Sequence, residues 1–225
     1  KVAIELKREI IITSDGSTSI HLPEWEESYH SKHGAIQEAQ HVFIKNGLSL
    51  CKGQSVSVLE IGFGTGLNAF ITLLESHKNM VIIDYVGVEA YPISSEEVIQ
   101  MNYPNQLNAN EYYDFFSKMH QCSWEKCVTI SEHFRLIKRK QKFQEIKDVN
   151  QFDIIYFDAF SPEKQPNLWT DFIFDKMFKA LKKDGLLVTY CAKGIVKRTL
   201  KSVGFFVEAL PGPKGKREMI RANKK

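Results

Sequence analysis

Residues 58–68 read VLEIGFGTGLN. An apolar strand runs into Gly62-Phe63-Gly64-Thr65-Gly66, and a helical pattern starts at Leu67. Glycines are needed where a backbone turns sharply off a strand and must approach a ligand with no Cβ in the way. The helix amino end beyond them offers free N–H groups and a partial positive charge. A dinucleotide fold carries GxGxxG, whereas here the third glycine arrives one residue early. The resulting GxGxG favours S-adenosyl-L-methionine, whose carboxylate rather than a pyrophosphate would meet the helix end. Candidate cofactor residues are therefore Glu60, Gly62, Phe63, Gly64, Thr65 and Gly66, with Asn68 as an extra donor. A lone glycine loop can also be a plain tight turn, so its setting matters.

Outward from this loop, β-branched runs alternate with helical patterns, the signature of a parallel α/β sheet. Strands are expected at 56–61, 81–89, 127–137, 152–160, 185–191, 205–210 and 217–222. Helices are expected in GLNAFITLLESH, SSEEVIQMN, LWTDFIFDKMFKALKK and KGIVKRTLKSVG. In the third, Leu168, Phe172, Ile173, Met177, Ala180 and Leu181 form the apolar stripe. The last two strands are joined by PGPKGK, too short for a parallel crossover, so one of them runs antiparallel. Residues 1–50 read as an N-terminal extension, with a hairpin around Ser-Asp-Gly-Ser and a helix stopped by Gly47. Residues 51–225 form the main domain, and 103–126 fold as helices or a flap near the sheet's carboxyl edge.

Two carboxylates fall at strand ends. Glu89 closes the second strand, at a separation from Gly62 that suits an acid accepting from ribose hydroxyls, with Ala90 next to it. Asp158 closes FDIIYF, the strand placed beside the first one at the switch point where open α/β sheets bind ligands. A rigid strand end can hold a carboxylate to the tolerance that group transfer demands. Asp158 is the candidate catalytic residue; the alternative is a cap on the following turn. Next to it, Phe160 can stack on a flat substrate, Ser161 can donate to one, and Pro162 stiffens the loop.

The 225 residues, 43% of them hydrophobic, suffice for one large domain with decorations. No apolar run is long enough to span a bilayer and KVAIELKREIII lacks a signal-peptide layout, so a cytoplasmic protein without membrane contact is expected. The four cysteines form no CxxC pair, and no metal site is expected. The net charge of +3 is unevenly spread. Residues 176–225 hold 14 Lys and Arg against three acids, a net +11, leaving 16 against 24 and −8 for residues 1–175. Such asymmetry points to a polyanionic partner. Some of these lysines, such as Lys176, Lys179, Lys182 and Lys183, equally suit a solvated helix face.

Taken together, GFGTGLN, DAFSPEKQPNLWT, KGIVKRTLKSVGF and GKREM resemble the MnmC-like methyltransferase family, which methylates 5-aminomethyl-2-thiouridine at the tRNA wobble position. The N-terminal DGSTSIHLPEWEESYHSKHGAIQEAQHVF is similar to that family too. The resemblance implies a Rossmann-like class I methyltransferase fold, a seven-stranded mostly parallel sheet with an antiparallel strand near one edge. It implies S-adenosyl-L-methionine as cofactor, the tRNA anticodon region as partner, and a stand-alone form without the FAD-dependent oxidase domain that family members often carry. One departure is visible: FRLIKRKQKFQEI lacks the acid that family members place after the third strand to hold the adenine amino group. On this reading Lys197, Arg198, Lys201, Lys214, Lys216 and Arg217 contact phosphates, and Tyr29, His30 and His33 help to receive a splayed base. Asp158, with an ordinary carboxylate pKa, orients the acceptor amine and stabilises its growing charge rather than serving as a base. The rivals are a polyamine-type aminopropyltransferase and a non-catalytic RNA-binding protein.

Overall fold

The computed structural model describes residues 6–225. The first five residues, with which the expected extension and the stretch KVAIELKREIII begin, lie outside the described residues. Three antiparallel strands open the chain: β1 (Glu9–Ile12), β2 (Thr18–Leu22) and β3 (Glu27–Ser28). Asp15 makes the expected turn, accepting from the Thr13 hydroxyl at 2.8 Å and the Ser17 amide at 3.1 Å, while Gly16 adopts φ 84°. Its other oxygen accepts from the Gln37 amide at 3.0 Å, fastening the hairpin to helix α1 (Ala35–Ala39), which widens into a π-helix over Gln40–Lys45.

The main sheet is built from β4 (Ser55–Ile61), β5 (Ile82–Val88), β6 (Cys127–Ser131), β7 (Phe134–Arg139), β8 (Phe152–Phe157), β9 (Leu181–Thr189), β10 (Phe206–Pro211) and β11 (Glu218–Asn223). Their order is β10-β11-β9-β8-β4-β5-β7-β6. The five central strands are parallel, and β11 runs antiparallel between β9 and β10. The sheet has eight strands instead of seven because the 127–137 run folds back on itself. Ser131-Glu132-His133 turn the chain, and β6 pairs antiparallel with β7 from Cys127 opposite Ile137 to Ser131 opposite Phe134. β9 also starts earlier than expected, since Lys182-Lys183-Asp184-Gly185 form a bulge between the Phe152–Leu181 and Ile154–Leu186 pairs, with Asp184 at φ 63°.

Helices cover both faces, as buried parallel strands require. α2 (Leu67–Asn79) lies on one face with α1, and α3 (Ser95–Ile99), α4 (Tyr103–Gln106) and α5 (Tyr113–Gln121) follow β5. α6 (Asp171–Ala180) and α7 (Gly194–Ser202) cover the other face. In α6 the buried residues are Ile173, Phe174, Met177 and Ala180. Phe172, expected in the stripe, is 59% exposed, with Lys176 Nζ 4.9 Å above its ring. Turning the stripe by one residue buries Phe174 completely, which stabilises by about 2–3 kcal/mol.

β4 sends its chain through α2 to β5, while its other neighbour, β8, comes from much later in the sequence. The crevice at the carboxyl ends of these strands is the switch point. There the Gly62 and Phe63 amides both donate to Val88 O at 3.0 Å, and the Asp158 amide donates to Ile61 O at 2.9 Å. Three strand ends are thus laced into one floor.

Candidate active site

The floor opens into a cleft of about 2000 Å³ that reaches Gly62, Phe63, Gly64, Thr65, Asn68, Glu89, Ala90, Asp158 and Phe160. Residues predicted from three separate stretches of chain therefore meet in one place. A smaller cavity of about 320 Å³ behind the loop shares Phe63, Gly64 and Glu89 but not Asp158.

Three glycines of the loop have positive φ: 92° at Gly62, 49° at Gly64 and 73° at Gly66. A Cβ on Gly62 would stand 2.7 Å from the Asp158 carbonyl oxygen, so only glycine lets the loop and the end of β8 touch. A Cβ on Gly64 would meet the Tyr29 ring at 3.2 Å, which places Tyr29 as a roof over the turn. The Gly64 amide donates to Glu89 Oε2 at 3.0 Å, and Glu89 Oε1 accepts from the Tyr91 amide at 2.9 Å. Glu89 is thereby held at the mouth of the loop. The glycine cradle, the amino end of α2 and this fixed acid suit the carboxylate and ribose of S-adenosyl-L-methionine.

Asp158 accepts from Asn68 Nδ2 at 2.9 Å through Oδ2. Asn68, expected to donate to a cofactor, gives one of its two amide N–H groups to the catalytic candidate. Burial pushes the Asp158 carboxyl up to about 7; the Glu38 charge adds to the rise, while the Asn68 hydrogen bond and Lys216 oppose it. The ordinary carboxylate range expected for this residue does not hold.

The N-terminal extension supplies one wall. Arg8 reaches across the loop after β5, donating to Tyr91 O at 2.8 Å and Glu97 Oε2 at 3.1 Å. Phe160 meets Tyr29 and Trp25 edge-on, with ring centroids 5.1 and 5.5 Å apart. Ser161 is engaged by Glu27, which accepts from its amide at 3.1 Å and its hydroxyl at 3.0 Å. It is therefore not free to serve a substrate as expected. Pro162 occupies the turn beyond and does not line the cleft. His30 contacts Ser19 Oγ at 2.9 Å and sits 3.4 Å from Thr65 Oγ1, which accepts from Tyr103 Oη at 2.9 Å. Burial pushes His30 down to about 4, leaving it a neutral brace of the glycine loop. His33 packs its ring on Gly215, joining the extension to the C-terminal hairpin outside the cleft.

Glu60 also departs from expectation: it is fully buried and does not line the cleft. Two of the expected phosphate contacts are engaged within the protein. Lys197 Nζ pairs with Glu218 at 2.5 Å. Lys216 pairs with the buried Glu38 and lies 4.1 Å over the Tyr190 ring, inside the cleft. For Arg198, Lys201, Lys214 and Arg217 no ion pair occurs among the described residues. The cations on the cleft itself include Lys140, Lys142, Lys164 and Lys193, the last paired with Glu163 at 2.5 Å, all missed in the sequence because their approach is tertiary. Phe143 and Gln144, from the stretch after the third parallel strand, line the cleft as well.

Residues 106–225, just over half of the chain, match the profile of a family described as S-adenosyl-L-methionine-dependent methyltransferase. The tRNA 5-methylaminomethyl-2-thiouridine biosynthesis bifunctional protein MnmC of Cupriavidus metallidurans is 28% identical over 232 residues, covering 95% of this chain and 33% of that protein. Its namesake in Campylobacter hominis is 30% identical over 206 residues, covering 88% and 30%. The chain thus spans about a third of the length of these curated relatives. Among solved structures, MNMC2 from Aquifex aeolicus superposes with a TM-score of 0.79 at 22% identity, covering 99% of this chain and 72% of that one. Spermidine synthase from Thermotoga maritima gives 0.61 at 15%, covering 99% and 70%. At such identities both likenesses speak for the fold.

Proposed function

Since the chain belongs to the S-adenosyl-L-methionine-dependent methyltransferase family, we propose that it methylates the primary amine of a 5-aminomethyl-(2-thio)uridine at the wobble position of tRNA, in the cytoplasm. The observation that carries the reading is Asp158, held by Asn68 at the switch point beside the glycine cradle. The names of the curated relatives support the choice of acceptor. No helix among the described residues is long and apolar enough to cross a membrane. Residues 6–50 act as the roof of the site on residues 51–225.

When bound, the cofactor supplies an electrophilic methyl group on a sulfonium sulfur. Gly62 to Gly66 and the amino end of α2 hold its amino-acid end, Glu89 its ribose, and Ala90 with Phe143 and Gln144 its base. The acceptor arrives largely as an ammonium ion, which has no lone pair. Ionised Asp158 draws that cation in, and one N–H bond breaks as its proton passes to an Asp158 carboxylate oxygen. The freed lone pair faces the methyl group, and the protonated Asp158 keeps the amine oriented. A base that titrates near 7 suits this transfer at neutral pH. Tyr29 and Phe160 flank the entering base, and the cleft cations Lys140, Lys142 and Lys164, with Arg198, Lys201, Lys214 and Arg217, meet the phosphates of the anticodon arm.

The test is mass analysis of wobble nucleosides after tRNA carrying the aminomethyl group is incubated with the protein and cofactor. Gain of one methyl group is expected. An unchanged aminomethyl group with a protein that binds the cofactor refutes the reading, and transfer to a free polyamine from decarboxylated cofactor would assign the site to the aminopropyl class.

A further inference from the structure

Glu60 stands on β4 with its side chain on the α2 face, in register with Gly87 of β5 and Tyr156 of β8. It is completely buried, and neither carboxyl oxygen has a hydrogen-bond partner among the described residues. Two other buried polar atoms, Tyr85 Oη on β5 and Asn68 Oδ1 on α2, are also without partners. Four orphaned atoms on three adjacent side chains of a close-packed core call for a common explanation.

An ionised carboxylate there would need donors or a counter-charge. The charged and titratable groups nearby are Tyr85, Tyr156, Asp158 and Glu89, which are acids, while Lys138 on β7 gives its ammonium to His120 O at 2.5 Å. Burial holds the Glu60 carboxyl well above the ordinary range; the adjacent Tyr85 and Asn68 oppose this in part, although neither is in hydrogen-bond geometry with it. A neutral acid matches both orphans: its O–H can donate to Asn68 Oδ1, and its C=O can accept from the Tyr85 hydroxyl. The terminal torsions of Glu and Asn are soft, so these neighbouring groups can turn toward one another.

We propose that Glu60 is a positioning residue for methyl transfer: as a buried neutral acid it grips Asn68 Oδ1, and so keeps Asn68 Nδ2 aimed at Asp158. With Oδ1 unheld, the amide is free to turn over and present an oxygen lone pair to the Asp158 carboxylate. The inference rests on the assignment of Asp158 to the reaction.

Two variants and one independent readout test it. Glu60→Gln keeps the shape, an N–H donor for Asn68 and an acceptor for Tyr85, whereas Glu60→Met keeps bulk alone. Expected for Glu60→Met is a kcat about tenfold lower, the worth of one oriented hydrogen bond, with KM and cofactor Kd little changed and the pH midpoint of kcat moved up. Glu60→Gln should restore kcat to within about threefold and restore the midpoint. Equal loss in both variants, or loss of cofactor affinity in step with activity, overturns the proposal. Should Glu60→Met fail to fold, Asn68→Leu replaces it, and adding Glu60→Gln to Asn68→Leu must then change nothing further in kcat. The independent readout is stability: the folded state keeps a proton on Glu60 that the unfolded chain loses above pH about 4.5. Glu60→Gln should therefore gain in Tm over the parent as pH rises from 4.5 to 8, and a Tm difference flat in pH overturns the neutral acid. If the parent protein methylates no tRNA, the proposed function fails while the stability arm still judges Glu60.

Discussion

Asp158→Asn should make the protein more stable while nearly abolishing its turnover. The Asp158 carboxyl titrates at about 7 in the fold against 3.8 in the unfolded chain, because burial and the Glu38 charge disfavour its ionised form. Below pH 3.8 both states are protonated, and aspartate and asparagine should be nearly equivalent. Between 3.8 and about 7 the unfolded chain gives up a proton that the folded protein keeps, so the parent loses stability as pH rises. Above 7 the penalty is complete. About three pKa units at 1.36 kcal/mol each set a ceiling of about 4 kcal/mol. The edge of Asp158 that remains open to the cleft lets water screen part of it, so about 2–4 kcal/mol is expected. For a chain of this size that is a Tm gain of roughly 5–15 °C. Urea denaturation of both proteins without cofactor, at pH 4 and pH 8.5, measures it. Curves that coincide at both pH values, or a less stable Asp158→Asn at pH 8.5, would refute the reasoning. The same substitution should lower kcat by about two to three orders of magnitude, as loss of a general base does.

Lys216→Ala removes a cation that helps to keep Asp158 ionised, so activity should fall more at pH 7 than at pH 8.5, as read from the pH profile of kcat/KM. The salt dependence of tRNA binding should hardly change with that variant, since Lys216 is paired with Glu38. Replacing Arg198 and Lys214 together should weaken tRNA binding and flatten the plot of log affinity against log salt by up to about two units of slope. Gly62→Ala, at φ 92° and with its Cβ 2.7 Å from a backbone oxygen, should lose at least about 2 kcal/mol in urea denaturation together with cofactor binding in calorimetry. Phe174→Ala should cost about 3–5 kcal/mol, whereas Phe172→Ala should stay within about 0.5 kcal/mol, and the same denaturation assay compares them.

What could be read from the amino-acid order is local. The strand, glycine turn and helix of residues 58–68 lie within one stretch of chain, and φ above zero at three of its residues leaves glycine as the only unstrained choice. Asp158 was legible for the same reason, as the polar end of a six-residue strand buried almost throughout. The spacing of apolar residues placed α6 but not its rotation, because Phe172 and Phe174 are equally apolar and only the facing sheet chooses between them. Likewise CVTISEHFRLI carries no glycine or proline to announce a hairpin, and it is pairing with the edge of β5 that folds it there.

The chemistry of the cleft was decided by tertiary structure. Lys197 with Glu218, Lys216 with Glu38, Ser161 with Glu27 and Asn68 with Asp158 are partners separated by 21, 178, 134 and 90 residues. No sequence window shows which charges will neutralise one another. The pKa of Asp158 follows from the same cause, since it depends on how much water the surrounding elements exclude and which charges they bring near. Backbone conformation is a property of neighbours along the chain, whereas electrostatic environment is a property of neighbours in space.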